Sequence, residues 1–195
     1  MKMDINIVAY YLSCLLYISG NVKSIYFLVE HKAKLDAGKE HALLYAVRYA
    51  YDDVIVYLVQ KKAKLDVLSH VYTNAYSEAY MGSKYNHFEL IRKLGFSPYL
   101  NARDTINHAI CENNYKALDT LLELSVDLNN NTKTKNNYYG NTPLIVAVYH
   151  SDKTMINYLI DHGADPNLPN LMGKTPYTIA LSQNKQEILT LLKQK

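Results

Sequence analysis

The sequence contains few of the residues that build disulfide, metal and redox sites. Among its 195 residues there are two cysteines, no tryptophan, three phenylalanines, seven glycines and five prolines. Cys14 and Cys111 lie far apart, and neither belongs to a spacing typical of zinc ligands or of a disulfide framework. We therefore expect no metal and no cofactor. Unpaired cysteines suit a reducing compartment, which predicts a cytoplasmic location.

Net charge and hydropathy exclude two further classes of partner. The formal net charge is +3, which is too small for a typical nucleic-acid-binding chain. The longest apolar run, residues 5–19, is shorter than the roughly 20 residues that cross a bilayer. We predict no nucleic-acid partner and no membrane partner. Because 49% of the residues are hydrophobic, the chain can bury a sizeable core, and a disordered chain is excluded.

Signature motifs of catalytic sites are also missing. The sequence has no G-x-x-x-x-G-K-[ST], G-x-G-x-x-G, H-E-x-x-H or G-x-S-x-G. His108 and Cys111 are three residues apart on a predicted helix, the spacing that a base and a nucleophile need, but ordinary helix residues are the favoured interpretation. The remaining histidines are scattered, and we expect His31 and His162 to bond the last carbonyls of helices. We predict that the chain is not an enzyme.

Internal repeats are the main signal in the sequence. Residues 140–144 read GNTPL, and GKTPY follows 33 residues later at 173–177. The pentapeptide KAKLD occurs at 32–36 and again 30 residues later at 62–66. Periods of this length are typical of proteins built from repeated units.

The segment 140–167, GNTPLIVAVYHSDKTMINYLIDHGADPN, resembles the ankyrin repeat, a turn followed by two antiparallel helices. The resemblance implies an all-α ankyrin-repeat solenoid of about six helix-turn-helix units, forming one domain over residues 1–195. The approximate units are 8–36, 37–68, 69–99, 100–130, 137–169 and 170–195, with a loop insertion at 130–139.

A small residue on the first helix of each unit sets the register. These anchors are Leu16, Ala46, Gly82, Ala109, Ala147 and Ala180. In the third unit an alternative anchor at Ala79 stays open. Twelve residues after the anchors come leucines that we expect to be buried on the second helix, namely Leu28, Leu58, Leu94, Leu121, Leu159 and Leu192. Helix caps are expected at Ser77, Asp104, Thr142 and Thr175.

The resemblance also implies where a partner binds. In ankyrin-repeat proteins the partner usually lies against the concave face of turn tips and inner helices, which makes this chain a non-enzymatic protein-protein interaction scaffold. The exposed residues of that face should lie two and three positions after each anchor, and we expect them to contribute little to folding. The alternative is that tyrosines occupy these positions without a binding role, because the chain contains 19 of them. The predicted partner-binding residues are Arg48, Tyr49, Lys84, Tyr85, Tyr149 and His150, with Tyr138 and Tyr139 of the loop insertion.

Lysines on adjacent turns of the first two units predict a basic edge. Such an edge would fit an acidic protein segment or a phosphate. The alternative is that lysines simply favour the C-terminal ends of helices. The residues of this basic edge are Lys32, Lys34, Lys61, Lys62 and Lys64.

Asn129 is a candidate modification site. Residues 121–129 read L-x5-D-L-N, which resembles the ankyrin motif that asparaginyl hydroxylases modify. The alternative is that the turn asparagine has a structural role in bonding its own loop.

The composition also carries information about origin. The chain has 18 lysines but 3 arginines, and it is rich in Tyr, Asn and Ile, which is typical of AT-rich coding sequences. A virus or an intracellular bacterium is therefore the expected source, and a host-directed effector or adaptor in the host cytoplasm is the alternative function. A nucleic-acid binder or a small enzyme is less favoured. We expect a monomer, although the apolar residues 5–11 either cap the array or contact another chain, which would permit self-association.

Overall fold

The structure is a computed structural model that describes residues 22–32, 35, 41–65, 67, 74–96, 103–131, 137, 139–150 and 152–193. None of these residues lies in a β-strand, so the all-α prediction is confirmed. The α-helices are α1 (Val22–Glu30), α2 (Ala42–Tyr49), α3 (Asp52–Gln60), α4 (Ala75–Met81), α5 (Phe88–Lys93), α6 (Arg103–Cys111), α7 (Tyr115–Glu123), α8 (Pro143–His150), α9 (Lys153–Asp161), α10 (Pro176–Ser182) and α11 (Gln186–Lys193).

The chain divides into two compact units. The N-terminal unit is Met1–Asn101 and the C-terminal unit is Ala102–Lys195. In the N-terminal unit α2 pairs with α3 and α4 with α5, and the two first helices, α2 and α4, pack together. In the C-terminal unit α6 pairs with α7, α8 with α9 and α10 with α11, and α8 contacts both α6 and α10. Each pair therefore buries its apolar face against a neighbouring pair, as stacked repeats do.

Thr-Pro sequences begin two of the first helices in the C-terminal unit. Thr142 Oγ1 accepts the backbone N–H of the third residue after it at 3.3 Å. Thr175 and Thr178 bond each other's backbone N–H reciprocally in a capping box. Pro143 and Pro176 occupy the first helical position, where the missing N–H of proline costs nothing. The predicted caps at Thr142 and Thr175 are confirmed.

Two other predicted caps are wrong. Helix α4 is capped by Asn74, whose side-chain Oδ1 accepts the Ser77 N–H at 3.1 Å. Asn caps helices as well as Ser does, and here it stands three residues earlier, so Ser77 lies inside the helix. Asp104 also lies inside its helix, because α6 already begins at Arg103.

The anchor of the third repeat is Ala79, and the prediction of Gly82 is wrong. Ala79 is fully buried, like the anchors of the other described first helices. Gly82 is instead the C-cap of α4, and a Cβ at this position would lie 2.0 Å from the backbone oxygen of Arg48. The position of the cap causes this shift, because Asn74 lies three residues before Ser77, the cap that the sequence predicted.

The second helix of the third repeat follows the same corrected register. Twelve residues after Ala79 comes Ile91, which is fully buried, whereas the predicted Leu94 is the half-buried C-cap of α5. Helix α5 has six residues and is preceded by a 3-10 turn, Tyr85–His87. In the other repeats the predicted leucines are at most 8% exposed, namely Leu28, Leu58, Leu121, Leu159 and Leu192.

Left-handed backbone recurs at two fixed positions of the repeat. Because this conformation costs a non-glycine residue about 1–2 kcal/mol, its recurrence shows that the turns impose it. In the third repeat the positions match only when Ala79 is the anchor. Sixteen residues after the anchors, φ is between +60° and +99° at Lys32, Lys62, Gly95, Ser125 and Gly163. Four residues after them, φ is between +53° and +59° at Ala50, Ser83, Asn113 and Asn184.

The two histidines at helix C-termini bond their own helices, as predicted. His31 Nδ1 lies 2.7 Å from the Phe27 carbonyl oxygen, and His162 Nδ1 lies 2.7 Å from the Tyr158 carbonyl oxygen. Each imidazole also packs on the ring of that same residue, with centroids 4.0 and 4.1 Å apart.

Some predictions fall on residues outside the described part of the chain. These are the apolar residues 5–11, which were expected to cap the array or contact another chain, and the anchor Leu16. Among the helices that are described, none combines the length and the apolarity that a membrane-spanning segment requires.

Candidate protein-binding surfaces

The C-terminal ends of α2 and α4 border an open cavity in the N-terminal unit. Its volume is about 490 Å³, and it places two large apolar side chains beside two cations. Tyr49 is 38% exposed and Met81 is 45% exposed, so the unit leaves both open to solvent. We call this cavity and its lining the α2–α4 surface. Its residues are Arg48, Tyr49, Met81, Gly82 and Lys84.

Arg48 connects the α2–α4 surface to the interior of the unit. Its Nε donates a hydrogen bond of 2.5 Å to Glu78 Oε2, and the Glu78 side chain is only 4% exposed. Burial lowers the pKa of Arg48, but the hydrogen bond and charge of Glu78 outweigh burial and leave the pKa raised. Arg48 is therefore held by the interior of the unit, because it donates a charge-assisted hydrogen bond to a buried carboxylate.

Lys84 and Tyr85 do not lie on an inner helix. Lys84 follows α4 and lines the cavity, whereas Tyr85 begins the 3-10 turn. The Tyr85 ring packs against Tyr80 and Phe88, with centroids 5.4 and 6.0 Å apart, and is half-buried. Lys84 and Tyr85 were predicted to be exposed inner-helix residues because the third repeat was given the wrong anchor. The residues two and three after Ala79 are Met81 and Gly82, and recognition of the Asn74 cap would have found them.

A second exposed surface in the C-terminal unit contains a thiol and an imidazole. Tyr149 is 44% exposed near the end of α8, and His150 beside it is also exposed. The His150 Nε2 lies 3.1 Å from the Sγ of Cys111, at the end of α6. Burial and the neighbouring charge of Glu112 raise the pKa of the Cys111 thiol. The imidazole that the structure places within hydrogen-bonding distance of Cys111 is thus on the next repeat, rather than three residues away at His108.

The same thiol borders a small cavity between α6 and the start of α8. The cavity has a volume of about 220 Å³, and although most of its lining residues are polar in type, the surface that they present to it is mostly apolar. The Oδ1 atom of Asn107 is buried and has no hydrogen-bond partner. The lining residues are Asp104, Asn107, His108, Cys111, Asn137, Asn141 and Val146.

Apolar side chains are also exposed at the loop tips of the C-terminal unit. Tyr139 is 55% exposed, and Leu171 and Met172 of the next loop are 54% and 64% exposed. The Leu171 N–H donates to the Tyr139 carbonyl at 3.0 Å, which holds the two tips together. The other tyrosine predicted for this loop, Tyr138, lies outside the described residues.

The lysines of the predicted basic edge have different environments. Lys32 and Lys62 occupy equivalent left-handed turn positions and are exposed. Lys61 Nζ lies 2.9 Å from Glu30 Oε1 and 5.4 Å from the centre of the Tyr57 ring, so its charge is partly balanced. Lys64 is exposed, and Lys34 lies outside the described residues.

Asn129 connects two successive loops. Its Nδ2 donates to the Gly163 carbonyl at 2.9 Å, and its Oδ1 accepts the Asp165 N–H at 2.7 Å. The residue is exposed, but both ends of its amide are engaged. The structural role expected for a turn asparagine is therefore present, although it joins the next repeat rather than its own loop.

In the described part of the chain, no three side chains of the types His, Cys, Asp and Glu are close enough together to hold a metal ion.

Several curated proteins are similar to this chain. The ankyrin repeat protein FPV031 of fowlpox virus is 30% identical over 83% of this chain and 48% of its own length. The ankyrin repeat protein YahD of Escherichia coli is 31% identical over 42% of each chain. The I-Kappa-B like protein I1 of Microplitis demolitor bracovirus is 29% identical over 40% of this chain and 45% of its own length. The chain thus spans less than half of the length of the curated relatives it matches.

A solved structure shares the fold. It is the complex of the predatory endopeptidase Bd0816 of Bdellovibrio bacteriovorus with the immunity protein Bd3460. The TM-score is 0.63 at 23% identity, covering 98% of this chain and 97% of the other. At this identity the likeness concerns the fold alone.

A family profile matches more than half of the sequence. It is described as "Ankyrin repeats (3 copies)" and matches residues 80–170 and 106–195. Its repeat agrees with the helix pairs, caps and left-handed turns described above. The chain belongs to the ankyrin-repeat family, whose members are generally protein-interaction modules.

Proposed function

We propose that the chain is a non-enzymatic scaffold that binds a partner protein through the α2–α4 surface. The exposure of Tyr49 and Met81 next to the cations Arg48 and Lys84 carries this proposal. Aromatic residues, Met and Arg are enriched in protein interfaces, where they contribute large contact areas and charge-assisted hydrogen bonds. In the C-terminal unit, Tyr149 and His150 form a second contact surface of the same kind.

The charge of the N-terminal unit defines the chemistry of the partner. Residues 1–101 contain 12 Lys and Arg against 9 Asp and Glu, whereas residues 102–195 contain 9 of each. All of the net charge is therefore in the N-terminal unit. Lys84 lines the cavity beside Tyr49 and Met81, so the proposed partner segment carries an apolar side chain next to a carboxylate. The basic edge around Lys32 and Lys62 would extend this attraction.

A host-directed effector or adaptor is the second candidate function. Two of the curated relatives are viral proteins, from fowlpox virus and from a bracovirus. The composition, rich in lysine and tyrosine and poor in arginine, is typical of an AT-rich genome. In this role the partner is a host protein, and the scaffold acts as a monomer in the host cytoplasm.

The proposal is tested by capture of partners with the full chain. The variant Tyr49→Ala/Met81→Ala should lose the partner, because truncation of an interface anchor costs about 2 kcal/mol or more of binding. Arg48 is left intact, since it holds the buried Glu78. The matched control is Phe27→Ala, which removes another large exposed ring, 61% accessible, from the second helix α1 of the same unit.

The outcomes separate binding from folding. We expect wild-type helical circular dichroism for both variants, with capture retained by Phe27→Ala alone. If Tyr49→Ala/Met81→Ala folds and captures the same proteins, the α2–α4 surface is not the binding site. Tyr149→Ala/His150→Ala then tests the second contact surface.

Hydroxylation of Asn129 remains a separate proposal. An asparaginyl hydroxylase would have to release the Asn129 amide from Gly163 and Asp165. Intact-mass measurement after incubation with such an enzyme should show the addition of one oxygen, and Asn129→Ala should show none. An unchanged mass of the wild-type chain would remove this site.

A further inference from the structure

The contact between Cys111 and His150 joins two repeats of the C-terminal unit. The sulfur lies 3.1 Å from Nε2 of the imidazole, although the residues are 39 positions apart in the chain. Both side chains are exposed to solvent, so a small molecule can reach the sulfur. When His150 carries its proton on Nδ1, the Nε2 atom accepts the S–H hydrogen. The pair therefore combines a thiol with a base that is positioned to receive its proton.

His150 and Cys111 both lie at the C-terminal ends of their helices. His150 is the last residue of α8, where unpaired backbone carbonyls place a partial negative charge. An imidazolium formed by proton transfer from the thiol is stabilised there. Cys111 is also the last residue of its helix, α6, and the same partial charge there disfavours a free thiolate.

A small cavity with a mostly apolar surface lies beside Cys111. Asp104, Asn107 and Cys111 recur at intervals of three and four residues, so they share one side of α6. Asn137 and Asn141 face them across a cavity of about 220 Å³. The Oδ1 atom of Asn107 is buried and has no hydrogen-bond partner among the described residues.

We propose that Cys111 is a modification site that undergoes thiol-disulfide exchange with a low-molecular-weight disulfide, with His150 accepting the thiol proton. The Cys111 proton passes to His150 Nε2 as Sγ attacks one sulfur of the disulfide. The new Sγ–S bond forms while the S–S bond of the reagent breaks, and the departing sulfur leaves as a thiolate that takes the proton from His150. Cys111 is oxidised to a mixed disulfide, and half of the reagent is reduced to a thiol.

The raised pKa of the Cys111 thiol affects the lifetime of the product. A thiolate with a high pKa is a poor leaving group in the reverse exchange, so the mixed disulfide at Cys111 should be long-lived. The same property slows the forward reaction unless a base is present, which makes His150 necessary. The modified sulfur would lie beside Tyr149, His150 and the second contact surface, where it would change binding of a partner.

The test follows reaction of the full chain with glutathione disulfide by intact-mass spectrometry. A Cys14→Ser background leaves Cys111 as the single thiol. We expect one added glutathionyl group, with a rate on the order of 10- to 100-fold lower in His150→Gln, at or below the lower end of what a positioned base contributes. The matched control is His162→Gln, which removes an imidazole bonded to its own helix α9 and should keep the background rate.

Each rate is divided by the rate of the same variant in denaturing urea, which removes differences in intrinsic thiol chemistry. Circular dichroism confirms that the variants are folded. Equal normalised rates for the background and His150→Gln would overturn the proposal, as would a loss in His108→Gln without a loss in His150→Gln. Absence of any adduct on the folded chain would also overturn it. None of these readouts depends on capture of a protein partner.

Discussion

The two units of the chain build the same repeat from different side chains. In the N-terminal unit, polar and charged groups are buried between helices, such as the Arg48–Glu78 pair and His87, whose Nε2 lies 2.7 Å from Asp52 Oδ1. In the C-terminal unit, the inner helix α8 buries an aliphatic face, including Ile145. The comparison shows that helix pairs stack both where polar and charged groups are buried between them and where the buried face is aliphatic.

The loops of the C-terminal unit are joined by asparagine side chains. Asn131 Nδ2 donates to the Pro169 carbonyl at 3.0 Å, and Asn170 Nδ2 donates to Asn141 Oδ1 at 2.8 Å. Asn137 closes its own loop with two bonds to the backbone of Asn141, at 2.7 and 2.8 Å. These amides satisfy backbone groups that turns leave unpaired, and they fix the spacing between neighbouring loops.

The difference between the units coincides with the proposed function. Most of the family profile's matched range lies in the C-terminal unit, whose Thr-Pro caps and aliphatic core follow the common repeat. The N-terminal unit departs from that repeat most clearly at α2 and α4, where the candidate binding surface lies. Because a buried ion pair is weak evidence for stability, we expect this unit to be the less stable of the two.

The largest expected effect comes from equivalent core leucines, one in each unit. Leu58 and Leu159 are both fully buried and lie twelve residues after their anchors. Replacement of either by alanine should cost about 2–5 kcal/mol of unfolding free energy. Hydrogen exchange should show faster exchange mainly in the unit that carries the substitution. Equal loss of protection along the whole chain after either change would contradict nearest-neighbour stacking.

The next largest effect is expected at the buried ion pair of the N-terminal unit. Arg48→Ala should lower the unfolding free energy by about 2 kcal/mol, because the buried Glu78 carboxylate loses the charge-assisted hydrogen bond from Arg48. Urea unfolding measures this loss. In the double variant Arg48→Ala/Glu78→Gln, which replaces the buried carboxylate by a neutral amide, most of the loss should be recovered. A double variant that is no more stable than Arg48→Ala would show that the charge is not the cause.

A smaller effect is expected at a tyrosine that recurs in both units. Tyr57 donates a hydrogen bond of 2.6 Å to Glu30, and Tyr158 donates one of 2.5 Å to Asp119. Each change to phenylalanine should cost about 1 kcal/mol of unfolding free energy. A null effect in one unit alone would show that the two bonds are not equivalent.

Tyr57 also predicts a dependence of stability on pH. Burial and the hydrogen bond to Glu30 raise the pKa of Tyr57 to about 12. The unfolded chain releases this proton near pH 10, whereas the folded chain keeps it. Its contribution to stability is therefore complete below about pH 10 and falls as the pH rises toward about 12. Urea unfolding across this range should show that the stability difference between wild type and Tyr57→Phe shrinks. A constant difference would exclude the linkage.

The smallest effect is expected at the left-handed turn that both units share. Lys62 has φ of +67°, and Gly163 occupies the equivalent position with φ of +95°. Lys62→Gly should stabilise the chain by about 1 kcal/mol, and Gly163→Ala should destabilise it by a similar amount. At Gly163 no atom lies within 4 Å of the added Cβ, so the cost comes from the left-handed backbone and not from a steric clash. Thermal unfolding of the two variants checks both signs. If both substitutions shifted the unfolding temperature in the same direction, the left-handed backbone conformation would not be the cause.

Much of the C-terminal unit was predictable from sequence because its local signals agree with each other. Thr175 and Pro176 mark the start of α10, and the buried leucines lie at a fixed interval after the anchors. The third repeat was misplaced because Ser77 and Asn74 are both good caps, and only packing decides between them.

Contacts between repeats were less predictable than the helices. The Arg48–Glu78 pair spans 30 residues and follows from the register only after Ala79 is known to be the anchor. The contact between Cys111 and His150 crosses the loop insertion, which lengthens the spacing between their repeats. Sequence spacing alone therefore pointed to the nearer histidine, His108.

The most direct test of partner binding at the α2–α4 surface is hydrogen exchange of the full chain with and without its captured partner. We predict slower exchange in the complex for peptides that cover residues 42–51 and 75–87, which contain Tyr49, Met81 and Lys84. Peptides from the second helices α7 and α9 should be unchanged. Slower exchange confined to second helices, with residues 42–51 and 75–87 unaffected, would contradict binding at this surface.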